Sequence, residues 1–196
     1  MELIDNRAKL LGDDLKKEIK SGAKIKMVAS YFSIYAFEAL KDELSNISEL
    51  QFIFPNPTFV QQGVKDKIKK ETREYYIPKR LRENSLYGTE FEIRLRNQLT
   101  QKVIAKECAA WVRDKVQFKS NITEGGLQNF IYVENTDKKA IYFPITGFTS
   151  VDLGYEKNNM FYQAITKSDD ESYAKFFFSQ FKNIWDDDTK VQDVTQ

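Results

Sequence analysis

The chain has 196 residues and a nearly balanced charge, with 30 Lys and Arg against 29 Asp and Glu. Its hydrophobic content of 41% and aromatic content of 14% are those of a folded globular protein and exclude a disordered one. Because the chain contains no histidine, it has no Ser-His or Cys-His nucleophile pair and no His-bearing zinc site. Chemistry based on carboxylates alone remains open.

Helical and strand patterns alternate along the first quarter of the chain. Apolar spacing predicts a helix at Arg7–Lys20, followed by strands at Lys24–Ser30 and Leu50–Phe54. Between the two strands, Ile34–Leu44 has helical spacing, and Ser33 precedes it as a predicted N-cap. A strand–helix–strand order of this length predicts a βαβ unit with two parallel strands.

The segment Phe59–Leu86 departs from this alternation and contains the basic cluster of the chain. In its first half, acids lie three and four residues from bases, which is typical of a solvated helix face. Its second half carries Lys79, Arg80 and Arg82 without such acidic partners. Arginine suits bidentate phosphate contacts. We therefore predict nucleic-acid binding at these three residues, with a solvated surface as the open alternative.

The rest of the chain continues the alternation. Apolar residues at three- and four-residue steps, including Val103, Ile104 and Trp111, predict a long core-facing helix. The elements predicted in order are a helix at Thr89–Lys115, strands at Val116–Ile122, Phe130–Glu134, Ala140–Pro144 and Met160–Thr166, and an aromatic helix from Asp169 to Trp185. The strands at Phe130–Glu134 and Ala140–Pro144 flank a polar turn and predict a hairpin.

These elements predict an α/β fold in which helices flank a mixed β-sheet. We expect a single domain over residues 1–188, with residues 59–86 as a basic excursion and 189–196 as the start of a linker. The chain has no Gly-rich phosphate loop and no dinucleotide fingerprint. Its acids are scattered or lie at predicted helix ends, so the sequence predicts no metal site.

Cellular location is predicted from the cysteine and the hydropathy. Cys108 is the single cysteine of the chain and lies in an apolar helical run, which favours a buried structural thiol and a reducing compartment. No apolar run approaches the roughly 20 residues of a membrane span, and the charged N-terminus lacks the apolar core of a signal peptide. We expect a cytoplasmic protein without membrane contact.

Several strings resemble those of a known family. VASYFSIYAFEALKDEL, the hairpin at Gln128–Pro144, the loop GFTSVDLG and the aromatic helix ending in Trp185 resemble a phospholipase-D-like domain. More narrowly, SLYGTEFEIRLRNQLTQKVIAKECAAWV and FTSVDLGYEKNN resemble the N-terminal region of large bacterial Swi/Snf-type and DEAD/DEAH-type helicases. The resemblance covers nearly the whole chain. It implies an ATP-dependent helicase whose ATP and magnesium sites lie downstream, with no cofactor in this chain.

The catalytic signature of that family is degenerate in this sequence. The family has His-x-Lys, four residues and Asp, followed by a Gly-Ser-x-Asn-like loop, and its histidine attacks phosphorus. The resemblance places Gln128, Phe130 and Asn135 at the His, Lys and Asp positions, and Thr146 and Thr149 in the loop. A glutamine amide is not nucleophilic at phosphorus, and phenylalanine cannot stabilise the charge of a phosphorane. The resemblance thus implies a pseudo-enzyme with no catalytic residue.

Three functions are compatible with this sequence. The first is a non-catalytic accessory domain of a DNA helicase that binds DNA or a partner. The second is a protein-interaction or homodimerisation module that does not bind nucleic acid, with the aromatic last helix or Gln128–Phe130 at its surface. The third is a residual nuclease or phosphodiesterase with a replaced nucleophile.

Overall fold

A computed structural model describes residues 1–56, 98–156 and 164–195, with the backbone alone for 98–101. Its strands are β1 (Glu2–Ile4), β2 (Lys24–Val28), β3 (Glu49–Phe54), β4 (Val116–Asn121), β5 (Phe130–Glu134), β6 (Lys139–Phe143), β7 (Ile165–Ser168) and β8 (Val191–Asp193). Its helices are α1 (Leu11–Glu18), α2 (Ile34–Ala39), α3 (Lys41–Leu44), α4 (Gln98–Lys115) and α5 (Glu171–Trp185). The predicted α/β class is confirmed.

The described strands form one eight-stranded mixed sheet in the order β1-β7-β6-β5-β2-β3-β4-β8. Strands β2, β3 and β4 are parallel neighbours, which confirms the predicted βαβ unit. Beyond β2, the strands β5, β6 and β7 pair antiparallel, and β5 and β6 form the predicted hairpin. Strands β1 and β8 complete the two edges with antiparallel pairings.

Helices cover both faces of the sheet, and each face has its own apolar core. Side chains alternate between the faces because successive residues of a strand point in opposite directions. Helices α1 to α4 pack over one core, to which Met27 and Phe52 contribute. Helix α5 packs Phe177 and Phe181 over the other core, against Phe130. The result is a three-layer arrangement of helix, sheet and helix.

The end of the chain differs from its prediction. Residues 189–196 were predicted to begin a linker, but Val191–Asp193 form β8 beside β4. The backbone N–H of Ile122 donates to the Lys190 carbonyl at 2.8 Å, and Val191 is buried in the α5-side core. The prediction was wrong because three residues with one buried side chain carry no recognisable alternation. Their partner strand stabilises them instead.

Smaller differences follow from packing. The predicted helix Ile34–Leu44 is two helices, because the backbone of Leu40 leaves helical geometry between them. Val103 was predicted to face the core, but 60% of it is exposed. Ile104, Cys108 and Trp111 are buried as predicted. The structure describes residues 98–115 of the predicted helix Thr89–Lys115, and the remainder lies outside the described residues.

A buried ionic cluster joins α1 to the sheet. Lys167 of β7 lies between two carboxylates of α1, with its Nζ 2.7 Å from Asp14 Oδ2 and 2.9 Å from Glu18 Oε2. The Tyr142 hydroxyl also donates to Asp14 Oδ2 at 2.8 Å. Burial by itself would raise the pKa of Asp14, but hydrogen bonds from Lys167, Lys9 and Tyr142 outweigh it and lower the pKa to about 2. Asp14 therefore stays charged in the folded protein.

Candidate functional site

A cleft of about 340 Å³ opens at the carboxyl ends of the parallel strands. In open α/β sheets, ligands bind in crevices outside these strand ends. Strand β2 has a parallel neighbour on one side and the antiparallel β5 on the other, so the cleft lies where the sheet changes from parallel to antiparallel. Its lining residues are Ser30, Pro55, Asn56, Gly126, Leu127, Asn129 and Ile145.

One wall of the cleft is held by the end of β4. Asn121 is buried, and its Nδ2 donates to the Pro55 carbonyl and to the Gly125 carbonyl, both at 2.8 Å. The hydroxyl of Ser120 donates to the Asn56 carbonyl at 3.2 Å. These bonds join the ends of β3 and β4 to the loop before β5 and fix the shape of this wall.

The opposite wall is held by the loop after β6. The backbone N–H of Ser30 donates to the Thr146 carbonyl at 3.0 Å. The Asn129 Nδ2 donates to the same carbonyl at 3.1 Å and to the Ser30 hydroxyl at 3.3 Å. One amide and one hydroxyl are thus held beside each other at the mouth of the cleft.

The chemistry of the cleft is neutral. Among the described residues, its lining contains serine, asparagine, glycine, proline and aliphatic residues and no side chain that carries charge at neutral pH. Amide and hydroxyl groups can donate and accept hydrogen bonds. A serine hydroxyl needs an adjacent base to act as a nucleophile, and none of these described lining residues is such a base. This lining is therefore suited to hold polar groups by hydrogen bonds.

Two of the predicted signature positions border this cleft. Gln128 and Thr146 are both exposed, and each is the sequence neighbour of a lining residue. The carbonyl of Thr146 takes part in the wall, as described above, while its side chain is open to solvent. The other predicted positions lie elsewhere.

Phe130 lies on the α5 side of the sheet. It is only 3% exposed, and its ring centroid lies 4.8 Å from that of Phe177 and 6.3 Å from that of Phe181. Any side chain at this position would therefore enter the apolar core between β5 and α5. Phe130 is a packing residue.

Asn135 lies at the far end of β5, about 20 Å from Asn129 of the cleft at roughly 3.4 Å per strand residue. Its Nδ2 donates to the Glu18 carbonyl at 2.9 Å, and its Oδ1 accepts the Lys20 backbone N–H at 3.2 Å. Asn135 thus anchors the end of α1 to the hairpin turn. The structure does not bring it together with Gln128 or Thr146.

Thr149 is part of a loop that packs against the N-terminal segment. It is buried, and its hydroxyl donates to Asp152 Oδ2 at 2.6 Å while accepting the Asp152 N–H at 3.1 Å. Asn6 donates to the Asp152 carbonyl at 2.7 Å, and the Gly12 N–H donates to the Leu153 carbonyl at 2.9 Å. The Thr149 hydroxyl is thus used within the loop and is closed off from the cleft.

Gly147 is expected to tolerate no side chain in this loop. A Cβ there would lie 2.8 Å from Asp152 Oδ2 and 3.0 Å from the Tyr31 Cβ. We expect Gly147→Ala to destabilise the fold by about 1–3 kcal/mol through overpacking, measured by urea unfolding. Gly126→Ala is the control, because its Cβ would meet nothing within 4 Å. Equal stability of the two variants would contradict the close packing of the loop.

Two further predictions concern the single cysteine and the basic cluster. Cys108 is 3% exposed, and burial raises the pKa of its thiol to about 12, so it is a structural thiol as predicted. Lys79, Arg80 and Arg82 lie outside the described residues.

Most of the aromatic residues suggested for association are packing residues, whereas Gln128 is exposed. The aromatic residues Phe177, Phe181 and Trp185 of α5 are buried against the sheet. Phe176 is the exception on this helix, with 54% of it exposed. Neither the aromatic face nor Phe130 is available to a second molecule.

Ser30, Asn56 and Asn129 were missed as site residues by sequence reasoning. A signal was present, because Ser30 ends one predicted strand of the βαβ unit and Asn56 lies two residues after the other. Polar residues at the carboxyl ends of neighbouring parallel strands converge on one edge of a sheet. Asn129 had no such signal, since it reaches the same edge only through the antiparallel pairing of β5 with β2.

Comparison with known proteins leaves the family open. No family model matches the chain, and no curated protein matches it. Within the described residues, no helix is long and apolar enough to cross a membrane. The same residues contain no group of three or more His, Cys, Asp or Glu side chains that could hold a metal ion.

Proposed function

We propose that this chain is a non-catalytic domain of phospholipase-D-like fold that binds nucleic acid within a longer ATP-dependent DNA helicase. The observation that carries the proposal is the neutral, hydrogen-bonding cleft at the carboxyl edge of β2 and β3. Serine and asparagine side chains and backbone N–H groups are common partners of nucleic-acid phosphates and sugars. The cleft offers serine and asparagine side chains, of which Ser30 and Asn129 are held in place by hydrogen bonds.

A binding role is favoured over catalysis by the placement of the signature positions. Phe130 is in the core, Asn135 anchors α1, and Thr149 is bonded within its own loop. A phosphodiesterase needs a nucleophile and charge-stabilising groups around one phosphorus atom. The chain has no histidine, and the described residues of the cleft lining carry no charged group. Both facts favour a domain that does not cleave phosphodiesters.

Salt-dependent DNA binding tests the proposal. We expect the purified chain to bind short single-stranded or duplex DNA with an affinity that falls steeply as salt rises, because cations on the protein displace the counterions of phosphates. Charge reversal at Lys79, Arg80 and Arg82 should weaken binding. Fluorescence anisotropy over a salt series measures both effects. An affinity indifferent to salt and to these substitutions would remove the proposal.

One matched pair of variants tests whether the cleft takes part in DNA binding. Gly126 lines the cleft, and a side chain built on it meets open space. Gly126→Glu places a negative charge there, while Gly126→Gln has nearly the same shape without charge. We expect the Glu variant to bind DNA about tenfold more weakly than the Gln variant, equivalent to roughly 1.4 kcal/mol. Equal affinities of the two variants would show that DNA binds outside the cleft. In a separate assay, cleavage of DNA by the unaltered chain with magnesium or manganese would contradict the non-catalytic role.

A further inference from the structure

The exposed side of α4 carries a line of positive charge. Lys102, Lys106 and Arg113 are all exposed. At about 100° per residue, these three positions fall within roughly 40° of arc around the helix axis. The opposite side of the helix packs Ile104 and Trp111 into the core. The three cations therefore project from the pole of α4 that points away from the sheet.

These cations have no acidic partner among the described residues, while the acids of the same helix do have partners. Glu107 Oε2 lies 2.8 Å from Lys41 Nζ, and Asp114 Oδ2 lies 3.6 Å from Lys115 Nζ. The positive charge of the line is thus left uncompensated by its own helix. A solvated helix face typically mixes both signs in pairs, and this pole does not.

The spacing and the surroundings of the line favour an extended polyanion. From the first to the last cation the helix rises about 17 Å, at 1.5 Å per residue. Ala109 and Ala110 are exposed beside the line, so small side chains leave room for a backbone to approach. A membrane-bound helix needs a large apolar face, and a protein interface needs aromatic anchors. Among the described side chains, this pole of α4 exposes one large apolar residue, Val103, and no aromatic residue.

We propose that Lys102, Lys106 and Arg113 form a contact surface for the phosphate backbone of a nucleic acid. The surface, here called the α4 stripe, lies outside the cleft and outside the predicted cluster of Lys79, Arg80 and Arg82. Lysine and arginine on such a surface contact phosphates without reading sequence. The inference rests on the proposed function, and it adds a second place where the nucleic acid touches the domain.

The test is a charge reversal with a control of equal total charge. Lys102→Glu, Lys106→Glu and Arg113→Glu together form the stripe variant. Lys17→Glu, Lys20→Glu and Lys182→Glu form the control, since these exposed lysines lie on α1, just after it and on α5. Binding to a fluorescent duplex is measured over a salt series for both variants and the unaltered chain, and circular dichroism confirms folding. A further set replaces each stripe residue with glutamine, which removes charge without adding repulsion.

The stripe variant is expected to bind duplex at least about tenfold more weakly than the control near 0.1 M salt. In the glutamine set, the slope of log affinity against log salt should fall by about 0.9 for each lost phosphate contact. If the unaltered chain binds DNA while stripe and control variants behave alike, the α4 stripe is wrong and the proposed function stands. If the unaltered chain binds no nucleic acid, both are wrong. Loss of binding to phosphatidylserine vesicles with DNA binding unchanged would overturn the stripe in favour of a lipid surface.

Discussion

Replacing Lys167 with methionine is expected to destabilise the protein by about 3 kcal/mol, because two buried carboxylates lose their shared cation. The side chains of Asp14 and Glu18 are only 6% and 7% exposed. Lys9 and Lys138 still contact them, at 2.8 Å and 3.2 Å, which keeps the expected loss at the lower end of the range for broken buried pairs. Urea unfolding with both midpoint and slope measures the change.

Lys175→Met is the matched control for this substitution. Lys175 also contacts a carboxylate, with its Nζ 3.0 Å from Glu171 Oε1, but the two side chains are 72% and 76% exposed. Exposed pairs of this kind contribute about 0.5 kcal/mol or less. Similar losses in the two variants would contradict a special role for the buried cluster.

A second comparison separates charge from packing at the same site. Lys167→Met combined with Asp14→Asn and Glu18→Gln leaves no uncompensated buried carboxylate, so part of the lost stability should return. Lowering the pH tests the contacts of Asp14 in a second way. The folded-state pKa of Asp14 is about 2, below the value near 4 of an unfolded aspartate. Its contribution is therefore complete above about pH 4 and is lost as pH falls from about 4 toward 2.

Phe130→Ala is expected to destabilise the protein by about 3–5 kcal/mol, as truncations of buried aromatic residues do. The ring fills the space between β5 and α5, against Phe177 and Phe181. Phe176→Ala is the control, since it removes the same group from α5, the helix that packs against Phe130, at a position that is 54% exposed. We expect a change of at most about 0.5 kcal/mol there. Comparable urea midpoints would show that Phe130 does not support the core.

The same position tests whether the family signature can be restored. Gln128→His with Phe130→Lys returns two of the signature residues that the resemblance finds missing, the histidine and the lysine. Because the new lysine would enter an apolar core, we expect unfolding in place of activity. A folded double variant that cleaves a phosphodiester would show that Phe130 occupies a former active site.

The hairpin of β5 and β6 shows what the local sequence pattern can predict and what it cannot. Alternation placed Phe130–Glu134 correctly and put the next strand within one residue of its observed bounds. The same pattern could not tell which face each side chain meets, since that depends on the partner strands and on α5. Five signature positions close in sequence were therefore expected to form one site. The structure separates them, because Asn135 follows the carboxyl end of β5, whereas Thr146 lies beside Asn129, just before its amino end.

The sequence by itself determined the absence of histidine chemistry, the parallel βαβ unit and the α/β class. These follow from composition and from local periodicity, which depend on neighbours in the chain. Only the tertiary structure decided that β8 completes the sheet edge, that Ser30, Asn56 and Asn129 meet at one cleft, and that α4 exposes a line of cations with no acidic partner among the described residues. Each of these depends on pairing or packing between residues far apart in sequence, which no local pattern records.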